Sequence, residues 1–92
     1  MLIECLRDKS TGVRQEAMRA IGKLRIRDAI AGLTVALQSR HSRTVSTAIE
    51  TLVEIGDLPE ATLAALETLR THPRENVRKR AAEAIRKSRP GG

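Results

Sequence analysis

The chain has 92 residues, enough for one small domain. Hydrophobic residues make up 40% of it and none is aromatic, so any core is aliphatic and the abundant Ala, Leu, Arg, Lys and Glu favour helices. No apolar stretch is long enough to span a membrane, and the single Cys5 excludes an internal disulfide and fits a reducing cytoplasm.

In chain order, Met1-Leu2-Ile3-Glu4-Cys5 is too short and too acidic for a secretory signal. Leu2, Ile3 and Leu6 predict a short helix with Cys5 on its apolar side. Val13, Ala17, Ala20 and Ile21 share one face of a helix over 12–24. Asp28 is expected to cap a helix starting near Ala29 and carrying Ile30, Leu33 and Leu37. Val45, Ile49, Leu52 and Val53 predict a helix over 44–55, closed by Gly56 in a left-handed conformation. Pro59 suits the first turn of the next helix, with Glu60 beside its positive end and Leu63, Leu66 and Leu69 inward. Pro73 forbids one continuous helix from 63 to 88, so Val77, Ala81, Ala84 and Ile85 form a separate helix over 76–88. The tail 90–92 is expected to fray.

Val13, Val45 and Val77 stand 32 residues apart, and the apolar positions after them recur at offsets of 4, 7 and 8. Each stripe follows another apolar helix, so the unit is a helical hairpin, with repeats about 1–25, 26–57 and 58–89. One hairpin cannot bury its own apolar face, and stacking neighbours supplies a continuous core. The expected architecture is an all-α, right-handed α-solenoid of about three hairpins forming a single domain, with the first hairpin truncated.

At these positions the chain resembles the HEAT-repeat family, in the short form first described in phycobilin lyase subunits. The resemblance rests on Val13-Arg14 with Ala17, Ala20-Ile21-Gly22 and Leu24. Val45 with Ile49, Leu52-Val53 and Ile55-Gly56-Asp57 matches in the second unit, and Val77-Arg78 with Ala81-Ala82 and Ala84-Ile85 in the third. The family's Asp two positions before Val is here Thr11, Arg43 and Glu75, and its Arg after Val is Ser46 in the second unit. The resemblance implies that these residues tie adjacent hairpins together, so the seam at the second unit should be wired differently. It also implies that the second helix of each hairpin lines a concave face. The aromatic signature of tetratricopeptide repeats and the Thr-Pro-Leu-His of ankyrin repeats are both absent.

Charge is unevenly placed. Residues 1–69 hold nine basic and nine acidic side chains, whereas residues 70–92 hold eight basic against Glu75 and Glu83, which accounts for the net +6. Arg14 and Arg78 occupy the Val-Arg position and are expected to be structural. Arg19, Lys23, Lys79, Arg86 and Lys87 fall off the apolar stripes and are the candidate partner-binding residues. The middle unit offers Ser46, Thr47, Glu50 and Glu54, so the strip is not uniformly positive. Arg80, Glu83 and Lys87 furnish the polar surface that a terminal repeat needs.

Catalysis finds little support. His41 and His72 fall in turns, and neither is followed by the Glu that repeated His-Glu iron sites require. Cys5 has no His nearby to activate it. Base handling wants a stacking platform, which a chain without Phe, Tyr or Trp lacks. The expectation is therefore a non-enzymatic scaffold that binds another protein, without metal or cofactor. The alternatives are a nucleic-acid-binding module using the basic face of 70–89 and a non-catalytic lyase-like subunit. Leu2 and Ile3 near a raw edge suggest self-association there, or that the chain is the C-terminal part of a longer solenoid.

Overall fold

The two best-developed apolar stripes become the two most deeply buried helix faces. Val45, Ile49 and Leu52 retain 0–1% of their surface, as do Val77, Ala81 and Ala84. Each large aliphatic side chain buried in this way contributes about 1.5–3 kcal/mol. The computed structural model describes residues 11–88. Within them run α1 (Thr11–Leu24), α2 (Ile30–Ala36), α3 (Ser42–Ile55), α4 (Glu60–Thr68) and α5 (Glu75–Ser88), with no strand. Short 3₁₀ turns at Arg27–Ala29 and Leu69–Thr71 lead into α2 and out of α4. The expected short helix carrying Leu2, Ile3 and Leu6, Cys5, the raw N-terminal edge and the 90–92 tail lie outside the described residues.

The helices form two layers. α1 packs on α3 and α3 on α5, while α2 contacts α3 and α4, and α4 contacts α5. Ile30, Leu33 and Leu37 of the second unit and Leu63, Leu66 and Leu69 of the third are all buried in one cluster with the inner stripes. The helices expected over 12–24, 44–55 and 76–88 run over Thr11–Leu24, Ser42–Ile55 and Glu75–Ser88.

Three expectations change on inspection. Asp28 does not cap a helix. The amide of Ala29 bonds back to Ile26 O at 3.1 Å, so Asp28 already lies inside a 3₁₀ turn, and α2 starts at Ile30 without a side-chain cap. Pro59 stands one position before the first helical residue, in extended geometry (φ −67°, ψ 160°), and its carbonyl accepts the amides of Thr62 and Leu63. The three valines are not equivalent: Val45 and Val77 are fully buried, whereas Val13 keeps 39% of its surface. Val45 and Val77 each sit in a hairpin whose first helix is α2 or α4, while the matching segment before α1 lies outside the described residues.

Gly56 closes α3 at φ 75°, ψ 175°, with its amide on Leu52 O. A side chain strongly disfavours this corner of conformational space. Asp57 follows at φ 47°, a region that Asp tolerates. Together they turn the chain into the next hairpin.

Polar bonds that span about one repeat tie the stack together, one within the second hairpin and the others between successive hairpins. Arg27 donates to Gly56 O (3.0 Å) and Asp57 O (2.7 Å). The Thr34 and Thr62 hydroxyls meet at 2.9 Å between α2 and α4. The Thr51 hydroxyl donates to Met18 O between α3 and α1 (3.3 Å) and to Thr47 O (2.8 Å). Arg80 of α5 pairs with Glu50 of α3. Each layer is therefore pinned as well as packed.

Candidate interaction surface

The inner layer exposes charges of both signs: Glu16 of α1 and Arg43 of α3 share one opening with Arg19, and further along the helices the prevailing sign differs from one to the next. α1 presents Arg19 and Lys23, both exposed and without an ion pair among the described residues. α3 presents the exposed carboxylates Glu50 and Glu54. α5 presents cations that already have partners: Lys79 with Glu75 (2.9 Å), Lys87 with Glu83 (3.2 Å) and Arg86 with Glu83 (3.9 Å). Such exposed pairs add only about 0.2–1 kcal/mol each to stability. Their importance is local: they put a negative charge within a few ångströms of Lys79, Arg86 and Lys87.

Between α3 and α5 lies a cleft of about 230 Å³, bounded by Ile49, Glu50, Val53, Arg80, Glu83 and Lys87. Apolar, acidic and basic groups share this small opening. Arg80, Glu83 and Lys87, anticipated as the polar end of the stack, are exposed but line this cleft.

The Val-Arg positions differ as the sequence implied. Arg78 is half-buried and donates to His72 O (2.6 Å) and Pro73 O (3.1 Å), so it ties down the turn before its own helix. Arg14 is likewise half-buried. At the matching place in α3, Ser46 is buried and its hydroxyl finds no hydrogen-bond partner among the described residues. The second turn is held instead by Ser39 Oγ, which accepts the amide of His41 at 3.1 Å.

Both histidines fall in turns, as expected. His72 Nδ1 accepts the amide of Arg74 (3.0 Å), and His41 precedes α3 without capping it. Among the described residues no group of His, Cys, Asp and Glu is arranged to hold a metal ion. No helix there is long and apolar enough to cross a membrane.

One cluster escaped the sequence reading. Stacking sets the turn 40–43 beside the turn 72–74, and Arg40, His41, Arg43, His72 and Arg74 surround a cavity of about 530 Å³. The signal was available: turns one repeat apart become neighbours in any stacked array. The middle unit has no net basic excess in the linear sequence, which concealed Arg40 and Arg43.

The family model described as HEAT repeats matches residues 1–86. That match covers nearly the whole chain and agrees with the paired helices and their 32-residue recurrence, and the chain belongs to the HEAT-repeat family. No curated protein matches it. HEAT repeats generally mediate contacts between proteins and are typically non-catalytic.

Proposed function

We propose that this chain is a non-enzymatic module that binds another polypeptide on the free face of the α1–α3–α5 layer. The observation that carries this reading is the alternation of charge across that face. α1 carries Arg19 and Lys23 with Glu16, its neighbour α3 carries Glu50 and Glu54, and the α5 cations stand beside Glu75 and Glu83. A polypeptide can match mixed charges along its length, whereas a polyphosphate meets repulsion at every carboxylate. The contact residues are Arg19, Lys23, Lys79, Arg86 and Lys87, with Glu50 and Glu54 between them.

Selection from a peptide display library against the 92-residue chain tests this. Selected peptides should lose affinity for both the Lys23→Glu and the Glu54→Lys variants, since each reversal disrupts one sign of the pattern. Failure to select any peptide, or binders indifferent to both reversals, would remove the reading.

Nucleic-acid binding through residues 70–89 draws support from the net +6 charge. It is the weaker reading, because Lys79, Arg80, Arg86 and Lys87 each have a carboxylate partner.

A further inference from the structure

The α5 cations and the turn cations differ in one respect. Every cation on α5 is engaged: Lys79, Arg80, Arg86 and Lys87 by carboxylates, and Arg78 by two carbonyls. Among the described residues the guanidinium groups of Arg40, Arg43 and Arg74 make no ion pair or hydrogen bond. These three gather from two separate turns around one cavity of about 530 Å³, and no carboxylate lines it.

The remaining wall also favours an anion. α3 begins there with His41 as its cap residue, whose side chain makes no capping bond, so the positive end of a 14-residue helix faces the cavity without a side-chain cap. The Nδ1 atom of His72 accepts the Arg74 amide, which makes Nε2 the hydrogen-bearing nitrogen of that ring and a further donor. Arginine is well matched to phosphate, because its planar fork meets two oxygens at once.

Resting on the protein-binding reading, we infer that this cleft receives the phosphate of a phosphorylated side chain on the partner polypeptide. A phosphomonoester carries about −1.5 to −2 charge, which suits three unpaired arginines better than a single carboxylate does. Arginine clusters are a recurrent means of reading such groups. Two observations favour a peptide over a nucleic acid as the source. The chain holds no aromatic side chain on which a base could stack. The helical face beyond the cleft carries Glu50, Glu54 and Glu83, which a single phosphate on a peptide avoids and a polyphosphate strand does not.

The test is an amide-resolved NMR titration of the 92-residue chain with four probes. These are N-acetyl-O-phosphoserine N-methylamide, its unphosphorylated counterpart, inorganic phosphate and a short oligothymidylate. The phosphoserine probe should shift the amides of Ser42, Arg43, Glu75 and Asn76 saturably, and the unphosphorylated probe should not. The double variant Arg43→Ala/Arg74→Ala should weaken that binding about tenfold or more, equivalent to ~1.4 kcal/mol. Both side chains are exposed, so the variant should keep its helical circular dichroism. Absence of saturable shifts, or equal affinity in the double variant, overturns the inference. So does inorganic phosphate binding as tightly as the phosphoserine probe, which would assign the cleft to free phosphate, and so does tighter binding of oligothymidylate at the same amides. If the cleft fails while unphosphorylated library peptides still bind the helical face, the inference falls and the protein-binding reading stands.

Discussion

The guanidinium of Arg27 lies 2.7 Å from the carbonyl oxygen of Asp57, 30 residues further along the chain. Its second nitrogen reaches Gly56 O at 3.0 Å. One side chain at the entrance of the second hairpin thus grips the exit of the same hairpin, where the backbone adopts positive φ twice in succession. The fork holds in place a turn that the chain would otherwise resist.

Arg27→Ala should therefore destabilise the fold by about 1 kcal/mol, less than two charged hydrogen bonds in a buried setting, because Arg27 is exposed. Arg27→Lys should recover only part of the loss, since an ammonium cannot present two parallel donors. Urea midpoints of the two variants check both statements. Equal midpoints for Arg27→Ala and the parent chain would contradict them.

Gly56 and Gly22 should respond to alanine substitution in opposite directions. A Cβ at Gly56 would meet nothing within 4 Å, yet φ of 75° makes Gly56→Ala costly, by about 1–3 kcal/mol. At Gly22, inside α1, the nearest atom to an added Cβ is Glu54 Oε1 at 2.7 Å. That carboxylate is the far end of an exposed, flexible side chain and can swing away. Gly22→Ala should then gain up to about 1 kcal/mol of helix propensity, raising Tm by roughly 4–8 °C for a domain of this size. Thermal melts followed at 222 nm would show the two shifts, and a lowered Tm for Gly22→Ala would mean that the α1–α3 approach is too tight to yield.

Val45 and Val77 are fully buried and Val13 is not, so truncation should separate them. Val45→Ala and Val77→Ala should each cost about 2 kcal/mol or more, through lost burial and an unfilled cavity. Val13→Ala should cost less than about 1 kcal/mol. Three equal losses in chemical denaturation would show that the valines share one environment after all.

Ser46 carries a buried hydroxyl without a partner among the described residues. Removing such a group relieves its desolvation cost, so Ser46→Ala should be neutral or stabilising by up to about 1 kcal/mol. A destabilised Ser46→Ala variant would indicate a hydrogen bond that this arrangement lacks.

Much of this architecture could be read directly from spacing. Leu33, Leu52, Leu66 and Ala81 report their burial through helical periodicity, because one apolar face must turn inward whatever its neighbours are. Pro59 and Gly56 mark helix ends through backbone restrictions that need no tertiary context. Asp28 misled because a 3₁₀ turn competed with the cap and won, a contest decided by local backbone geometry. The pairing of Lys79 with Glu75 follows from their separation along one helix, but that of Arg80 with Glu50 requires knowing which helices lie side by side. The Arg40, Arg43 and Arg74 cluster was hidden for the same reason. It joins two turns that only stacking brings together, and no single stretch of chain carries its charge.

The account depends most on the claim that mixed charge across the α1–α3–α5 face selects polypeptide over polynucleotide. Fluorescence anisotropy of a labelled DNA duplex, titrated with the 92-residue chain between about 50 and 200 mM salt, tests this directly. We predict no saturable binding at the lower salt, and no change on introducing Lys79→Glu/Arg86→Glu. Micromolar binding that falls steeply with salt and disappears in that charge-reversed variant would contradict the account.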